Sequence, residues 1–374
     1  MDNDKSKKTV VVGMSGGVDS SVAALLLKKE GYQVIGVFMK NWDETKDDST
    51  ECTSAEDWAD VNKVCSKIDI PFYSMNFTKE YFEEVFTPFL RDYQNGLTPN
   101  PDILCNKEIK FKAFFKKAKE LGADYVATGH YCGIENNKLI KAKDSSKDQT
   151  YFLYAIDGKC LSEVLFPLGK LKKEEVRKIA KENGLATHAK KDSTGICFIG
   201  ERKFRNFMSQ YIKSTPGEFR LLDETVVGSH VGSSFYTIGQ RRHLGLGGEG
   251  NRWFVVKKDH GKNIIYVTRD ENHPLLFSNK VVLHELTWLD KAPESFPFDC
   301  KAKIRYRQED EDCTIEKIED EKAYLHFRNP QKAVALRQSV VFYEENTCLG
   351  GGVVKEAFPK EAYEALFSSE ELRF

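Results

Sequence analysis

No two of the nine cysteines stand closer than 13 residues, so the chain has no CxxC pair. That absence removes a structural zinc knuckle, a cysteine-ligated iron–sulfur cluster and a thioredoxin-type motif from consideration. The odd count in so long a chain also argues against a disulfide scaffold. Long apolar runs are missing as well: no window comes near the roughly 18 uninterrupted apolar residues of a transmembrane helix. The opening MDNDKSKKTV lacks the apolar centre of a secretion signal, so the expectation is a cytoplasmic chain with no membrane partner. Neither sign of charge is in excess, with 56 Lys and Arg against 57 Asp and Glu. This excludes a histone-like positive blanket but leaves room for basic residues gathered locally.

What is present is enough for sizeable cores: 40% hydrophobic and 12% aromatic residues in 374, a length that predicts two or three domains. Thr9–Val12 is a short β-branched run of the kind a parallel sheet buries on both faces. A glycine turn at Gly13–Gly17 leads into an apolar helix through Val22–Leu27 that stops near Gly31. Gln33–Met39 predicts a second strand, and Thr53-x-x-Glu56 a capping box opening a helix towards Lys67. Pro71–Phe77 predicts a third strand, Thr78–Tyr93 and Asn106–Leu121 two more helices, and Asp124–Thr128 a strand ending at Gly129-His130. The alternation predicts an α/β fold, a doubly wound parallel sheet with helices on both faces. Ligands of such sheets gather at the carboxyl ends of the strands, where the glycine turn and Thr128–His130 both fall. The acidic stretch between Asn41 and Thr53 reads as a mobile loop.

After about residue 200 the segments shorten and glycines punctuate them. Lys280–Leu283, Cys300–Arg307, Cys313–Ile318, Ala323–Phe327, Ala333–Leu336 and Ser339–Tyr343 predict the strands of a small antiparallel β-barrel, and Pro359–Phe374 a peripheral helix. The domain boundaries expected from these shifts are 1–203, 204–279 and 280–374.

Gly13-Met-Ser-Gly-Gly-Val-Asp-Ser20 joins the first strand to the first helix. Exposed N–H groups at a helix N-terminus suit an anion, and Ser15, Ser20 and Ser21 add hydroxyl donors. The loop lacks the Gly-Lys-Ser/Thr ending of a Walker A motif and is not G-x-G-x-x-G; its glycines taken alone would serve an ordinary turn. The string S-G-G-V-D-S behind an apolar strand resembles the signature of the PP-loop ATP pyrophosphatase superfamily, whose members adenylate a substrate oxygen and release pyrophosphate. In such loops the residue at Asp19 is associated with the Mg²⁺–pyrophosphate end.

Two cysteines have surroundings unlike the rest. Cys105 follows Thr98-Pro-Asn-Pro-Asp-Ile-Leu. With Asp102 as N-cap, Cys105 would be the N3 residue of a helix, where the dipole and Lys107 favour a thiolate; otherwise Asp102 merely caps and Cys105 merely packs. Cys197 lies in the polar, lysine-flanked stretch Lys190-Lys-Asp-Ser-Thr-Gly-Ile-Cys-Phe-Ile-Gly200, which favours reactivity over a half-buried loop cysteine.

Together, G-M-S-G-G-V-D-S-S, C-T-S-A-E-D, G-L-T-P-N-P-D-I-L-C-N, A-T-G-H-Y, K-D-Q-T-Y-F-L, D-S-T-G-I-C-F-I-G, Y-T-I-G-Q-R-R-H-L-G and I-R-Y-R-Q run in order from residue 13 to 308 and resemble the bacterial tRNA-specific 2-thiouridylase family. The resemblance implies an adenine nucleotide alpha hydrolase-like catalytic domain, a central tRNA-binding domain and a C-terminal barrel. It implies that Gly13, Met14, Ser15, Gly16, Gly17, Val18, Asp19, Ser20, Met39 and Gly129 hold ATP, with Mg²⁺ as its companion and no protein-bound metal. It implies that Asn100, Pro101 and Asp102 meet the target base, Asp102 as a proton acceptor, that Cys105 is the nucleophile and that Cys197 carries the sulfur as a persulfide. Two routes stay open: attack by the persulfide, with Cys105 closing a disulfide on Cys197, or attack by sulfide that Cys105 has released. Both require the cysteines, 92 positions apart, to approach.

Lys303, Arg305 and Arg307 would share one face of a strand, a basic stripe fit for phosphates or a solvated edge. The resemblance makes His130, Lys147, Asp148, Gln149, Arg305, Tyr306 and Gln338 contacts of tRNA, His130 otherwise being a structural strand-end histidine. The implied reaction is ATP-dependent 2-thiolation of the wobble uridine of lysine, glutamate and glutamine tRNAs by a monomer, fed by a cysteine desulfurase or carrier protein. An amidating PP-loop ligase of the argininosuccinate or GMP synthetase kind would not need both cysteines. A non-catalytic tRNA-binding protein would release no pyrophosphate.

Overall fold

The structure, a computed structural model, describes residues 5–42, 53–192 and 204–359. Most of the acidic 41–53 loop, the segment holding Cys197 and the expected C-terminal helix lie outside the described residues. Thr9–Met14 stands at the centre of a five-stranded, fully parallel sheet. On one side come Gln33–Lys40 and then Phe72–Asn76; on the other, Tyr125–Ala127 and then Val164–Leu165. The chain therefore reverses its direction of travel between Thr9–Met14 and Tyr125–Ala127, the switch point at which such sheets bind ligands.

The alternation of the first strand explains its double cover. Val10, Val12 and Met14 pack with Val22 and Leu25 of the helix Val18–Lys29 and with Val61 and Val64 of Thr53–Ile68. Val11, on the opposite face, packs with Ile109 and Phe114. Each buried valine contributes about 1.5–3 kcal/mol, so a run without polar alternation is stable only between two helix layers.

Of the two long helical stretches, the first matches the expected Thr78–Tyr93 and the second begins five residues before the expected Asn106. Thr78–Tyr81 continues through a π-helical segment, Phe82–Phe86, into Thr87–Gln94. Likewise Pro101–Leu104 continues through a π-helical Cys105–Phe114 into Phe115–Glu120.

The second unit is a four-stranded sheet of Phe254–Asp259, Ile264–Thr268, Gly217–Arg220 and Val226–His230. It shares one core with the first: Trp42 packs on Phe86 at 4.9 Å and on Phe207 at 5.9 Å between ring centroids.

In the third unit Phe277–Trp288, Lys322–Lys332, Glu311–Glu319, Phe298–Lys303, Ser339–Glu344 and Thr347–Pro359 pair antiparallel in that order, and the last closes on the first. This is the barrel the sequence predicts, with two differences. Ala333–Leu336 is a turn: Ala333 and Arg337 take left-handed φ values of 55° and 69°, which bend the chain out of the extended path. Its place in the barrel goes to Thr347–Pro359, where Gly350, Gly351 and Gly352 hid the strand signal. A hairpin of the first unit, Cys132–Glu135 with Lys138–Lys141, extends the same sheet by pairing Ile140 with Thr347.

Candidate active site

Gly16 turns the chain after the first strand with φ 74°, where a Cβ would lie 2.8 Å from Asp57 Cα. Gly17 is the N-cap of Val18–Lys29 and offers no side-chain cap, so first-turn N–H groups remain open to an anion. The hydroxyls brace the turn: Ser15 N donates to Ser20 Oγ at 3.1 Å, and Ser21 Oγ donates to Gly17 O at 2.8 Å. Met14 and Val18 turn their side chains into the core, so each can offer a ligand only its backbone. From the neighbouring strand, Gly129 approaches so closely that a Cβ would stand 2.6 Å from Ser20 N and 2.8 Å from Asp19 C. Met39 Cε lies 3.1 Å from where a Cβ of Gly13 would be. The residues predicted to hold the nucleotide thus meet around the carboxyl ends of three adjacent strands.

Asp19 is the hinge of a charge network that the sequence did not reveal. Lys173 Nζ donates to its two carboxylate oxygens at 2.7 and 2.8 Å, and Tyr131 OH donates to Oδ1 at 2.7 Å. Lys173 also lies 2.9 Å from Asp192, which accepts from Lys147 at 2.8 Å and from Arg177 at 2.6 Å. Partial burial works to raise the Asp192 pKa, but the bonds from Lys147 and Lys173 outweigh it and hold it at about 2. Asp144 Oδ2 accepts from Lys173 N at 2.9 Å, so three carboxylates, Asp19, Asp144 and Asp192, face the three cations Lys147, Lys173 and Arg177. Lys173 heads the amphipathic helix Lys173–Glu182, where a lysine reads as an ordinary solvated residue. Asp192 stands five positions before Cys197, and that neighbourhood is the one sequence signal that could have found it.

The helix that bears Cys105 passes beneath the loop. Phe114 Cε1 lies 3.5 Å from the Cβ position of Gly13, and the Phe111 ring packs on His130 at 5.9 Å. The N-cap of this helix is Asn100, whose side chain accepts from Asp102 N at 3.1 Å, and not Asp102 as the spacing predicts. The reason is Pro101, whose fixed φ and missing N–H suit the first helical position. Asp102 is thereby left to the first turn, half-buried, and Cys105, 2% exposed, falls beyond it. Asn106 Nδ2 donates to Asp102 O at 3.0 Å and to Phe152 O at 3.3 Å, tying the next turn to Thr150–Leu153.

His130 is buried at the end of its strand. Lys110 Nζ lies 3.4 Å from Nε2, and an ammonium can only donate, so Nε2 accepts and Nδ1 donates to Thr128 Oγ1 at 2.7 Å. Burial, then the charge of Lys110, drives its pKa well below the usual value of 6.5, so the ring is neutral.

The predicted RNA contacts divide. Lys147 is engaged by Asp192. Asp148 is buried and accepts from Ala142 N at 3.0 Å and Thr150 Oγ1 at 2.7 Å. Gln149 Oε1 accepts from Tyr131 N at 2.9 Å, beside Asp19. Tyr306 packs on Phe152 at 4.5 Å, and Gln338 Nε2 donates to Thr98 O at 2.6 Å. The basic stripe does not form: the strand ends at Lys303, which is buried and pairs with Asp310 at 3.5 Å, while Arg305 and Arg307 lie exposed in the turn that follows. Among the described residues no group of three or more His, Cys, Asp or Glu could hold a metal, and no helix is long and apolar enough to cross a membrane.

Three family models match the chain: the tRNA methyl transferase HUP domain over residues 8–201, the tRNA methyl transferase PRC-barrel domain over 205–269 and the aminomethyltransferase beta-barrel domain over 278–354. Similar proteins run the full length. The tRNA-specific 2-thiouridylase MnmA of Protochlamydia amoebophila is 54% identical over 360 residues, covering 95% of this chain and 95% of that one. Its counterpart in Halalkalibacterium halodurans is 52% identical over 356 residues, covering 94% and 96%.

Proposed function

The chain belongs to the tRNA-specific 2-thiouridylase family, and we propose that the groups at the switch point carry out ATP-dependent 2-thiolation of a tRNA uridine. The observation that carries this reading is the shared helix: the residues expected to meet the base, Asn100–Asp102, and the nucleophile Cys105 open the same helical run that supports the phosphate loop through Phe114. Loop and nucleophile therefore keep a fixed spacing, as two reactants held for one reaction require.

The phosphates of ATP fit the open N–H groups of the first turn, Val18–Ser20, the hydroxyl of Ser15 and the cation Lys173, with Met39 and Gly13 at one margin and Gly129 at the other. Since no group of three or more His, Cys, Asp or Glu among the described residues could hold a metal, magnesium would come with those phosphates, with Asp19 as a carboxylate beside them.

A uridine C2 carbonyl is a poor electrophile. Transfer of AMP to its oxygen, with loss of pyrophosphate, gives that oxygen a good leaving group. The persulfide on Cys197 attacks C2 and AMP departs. The Cys105 thiolate then attacks Cys197 Sγ, releasing 2-thiouridine and leaving a Cys105–Cys197 disulfide that an external thiol reduces before the next turnover. Alternatively Cys105 cleaves the persulfide first and the freed hydrosulfide attacks. Asp102 accepts the proton lost in either route. The wobble base of lysine, glutamate and glutamine tRNAs, flipped from its stack, is the acceptor. Lys147, Gln149, Arg305, Tyr306 and Gln338 contact the RNA around it, whereas Asp148 and His130, expected among these contacts, are buried and bonded within the protein. A cysteine desulfurase or its carrier supplies the sulfur to a monomer.

The test is a thiolation assay with ATP, a persulfide source and unmodified glutamate tRNA, run beside Cys105→Ala and Cys197→Ala with pyrophosphate followed in parallel. The wild type should form 2-thiouridine and both variants should fail. Thiolation by either variant would overturn the two-cysteine mechanism, and pyrophosphate release without thiolated tRNA would overturn the acceptor.

A further inference from the structure

Residues 94–98 lead directly into Asn100–Asp102. The N–H groups of Asn95, Gly96 and Leu97 close back on Arg91, Tyr93 and Asp92 O of the preceding helix, while the carbonyls of Gln94, Gly96 and Thr98 are held by the other two units. Gln94 O accepts from Ser234 Oγ at 3.3 Å, and Gly96 O accepts from Lys258 Nζ at 2.6 Å. Thr98 Oγ1 pairs with Thr237 Oγ1 at 3.3 Å. From the barrel side, Thr98 N donates to Leu336 O at 3.1 Å, and Gln338 donates to Thr98 O. Gly96 takes φ 73°, and a Cβ on it would stand 2.8 Å from His260 Nδ1, so its backbone is pressed against the second unit. The approach to the catalytic helix is thus gripped from two sides by elements that are more than a hundred residues distant in sequence.

Lys258 is the centre of the grip. Its ammonium also donates to Tyr236 O at 2.5 Å, and among the described residues no carboxylate pairs with it. Burial alone pulls its pKa down to about 8, so the chain retains a cation at an electrostatic cost where a neutral side chain would pack more easily. The ammonium donates to two backbone carbonyls, one on each unit, and so ties two loops by their main chains.

We propose that Lys258 is a positioning residue for thiolation, acting through the 94–98 segment to hold Asn100–Asp102 and Cys105 against the base. The proposal rests on the thiolation reading above. It assigns the second unit a task besides RNA docking, since displacement of Lys258 would be felt at the head of the catalytic helix.

The experiment uses the full-length, reduced protein with Lys258→Met, which keeps the length of the side chain and removes its donors, and Thr237→Val, which loosens the neighbouring contact with little change of shape. Three quantities are read: the single-turnover thiolation rate at saturating ATP and tRNA, the affinity for tRNA, and the alkylation rate of Cys105 relative to Cys132 and Cys348, both buried in a different core. Lys258→Met should slow thiolation at least tenfold, keep tRNA affinity within twofold and raise Cys105 alkylation at least fivefold while Cys132 and Cys348 stay protected. Thr237→Val should slow thiolation and raise Cys105 alkylation about threefold, with tRNA affinity again within twofold. Unchanged thiolation and unchanged Cys105 protection would overturn the proposal. So would exposure of Cys132 and Cys348 together with Cys105, which marks general loosening. Should the wild type form no 2-thiouridine, the thiolation reading fails on its own, while the alkylation pattern still reports whether Lys258 holds the helix.

Discussion

Lys173 holds both carboxylate oxygens of Asp19, at 2.7 and 2.8 Å, across 154 residues of sequence. Its side chain is only 11% exposed, and its ammonium meets Asp19 in the first turn of the helix that the phosphate loop opens. A cation fixed there before ATP arrives needs no reorganisation as pyrophosphate charge develops. Lys173→Met should therefore lower pyrophosphate release about 10²-fold, the usual effect of removing one preorganised charge or donor. Affinity for tRNA should stay within twofold, and Lys173→Arg should recover part of the rate. Steady-state pyrophosphate detection with saturating tRNA checks this; an unchanged rate would reduce Lys173 to a structural counterion of Asp19.

Gly129 leaves no room for a side chain. A Cβ 2.6 Å from Ser20 N must displace either its own strand end or the first turn of Val18–Lys29, and both neighbours are backbone. Gly129→Ala should lower ATP affinity at least tenfold by calorimetry. The thermal unfolding midpoint should fall by only a few degrees, because the distortion is confined to the loop's outer edge. An alanine variant with wild-type ATP affinity would show that Gly129 borders the fold and not the nucleotide.

Much of this was legible in advance because the signals were local. An unbroken Val10–Val12 run needs cover on two faces, and a glycine turn behind it opens a helix, so sheet type and loop position followed from neighbouring residues. The network around Asp19 was not legible, because Lys173 and Asp192 become partners only when Tyr125–Ala127 and Val164–Leu165 bring distant chain to the first strand. The Lys303–Arg307 stripe failed for a related reason. Strand alternation predicts faces only as far as the strand runs, and Lys303 is the last paired residue, opposite Val341. Asn100 and Asp102 are both good caps, and Pro101 decided between them.

His130 ties the stability of the fold to pH. Its folded pKa lies below the unfolded value of about 6.5, so the unfolded chain binds the proton first as pH falls. Stability should therefore be lost below about pH 6.5, with a slope approaching about 1.4 kcal/mol per pH unit from this one group until the folded pKa is reached. His130→Asn, which cannot titrate, should show a correspondingly flatter decline between pH 6.5 and 5 in urea midpoints, beyond the fixed cost of the lost Thr128 bond. Parallel curves for wild type and variant would mean that the folded ring takes up its proton in the same pH range as the unfolded one, so that burial does not hold it neutral.

Arg337 sits at φ 69°, a conformation that suits glycine, and is kept there by its partners. Its guanidinium donates to Asp92 Oδ2 at 2.7 Å and to Glu285 Oε1 at 2.5 Å, and Asp92 is itself buried. Removing the arginine would leave that carboxylate facing Arg91, 3.7 Å away. Breaking a buried pair costs about 3–5 kcal/mol when nothing compensates, so with Arg91 at hand Arg337→Ala should cost about 2–3 kcal/mol. Arg337→Gly loses the same pair but regains a backbone free to take positive φ, which is worth about 1 kcal/mol. The two variants should therefore separate, glycine above alanine, in thermal unfolding. Adding Asp92→Asn to either should restore part of the loss, since no buried charge is then left short of partners. If alanine and glycine unfold together, the backbone at 337 carries no strain and the ion pair alone sets the cost.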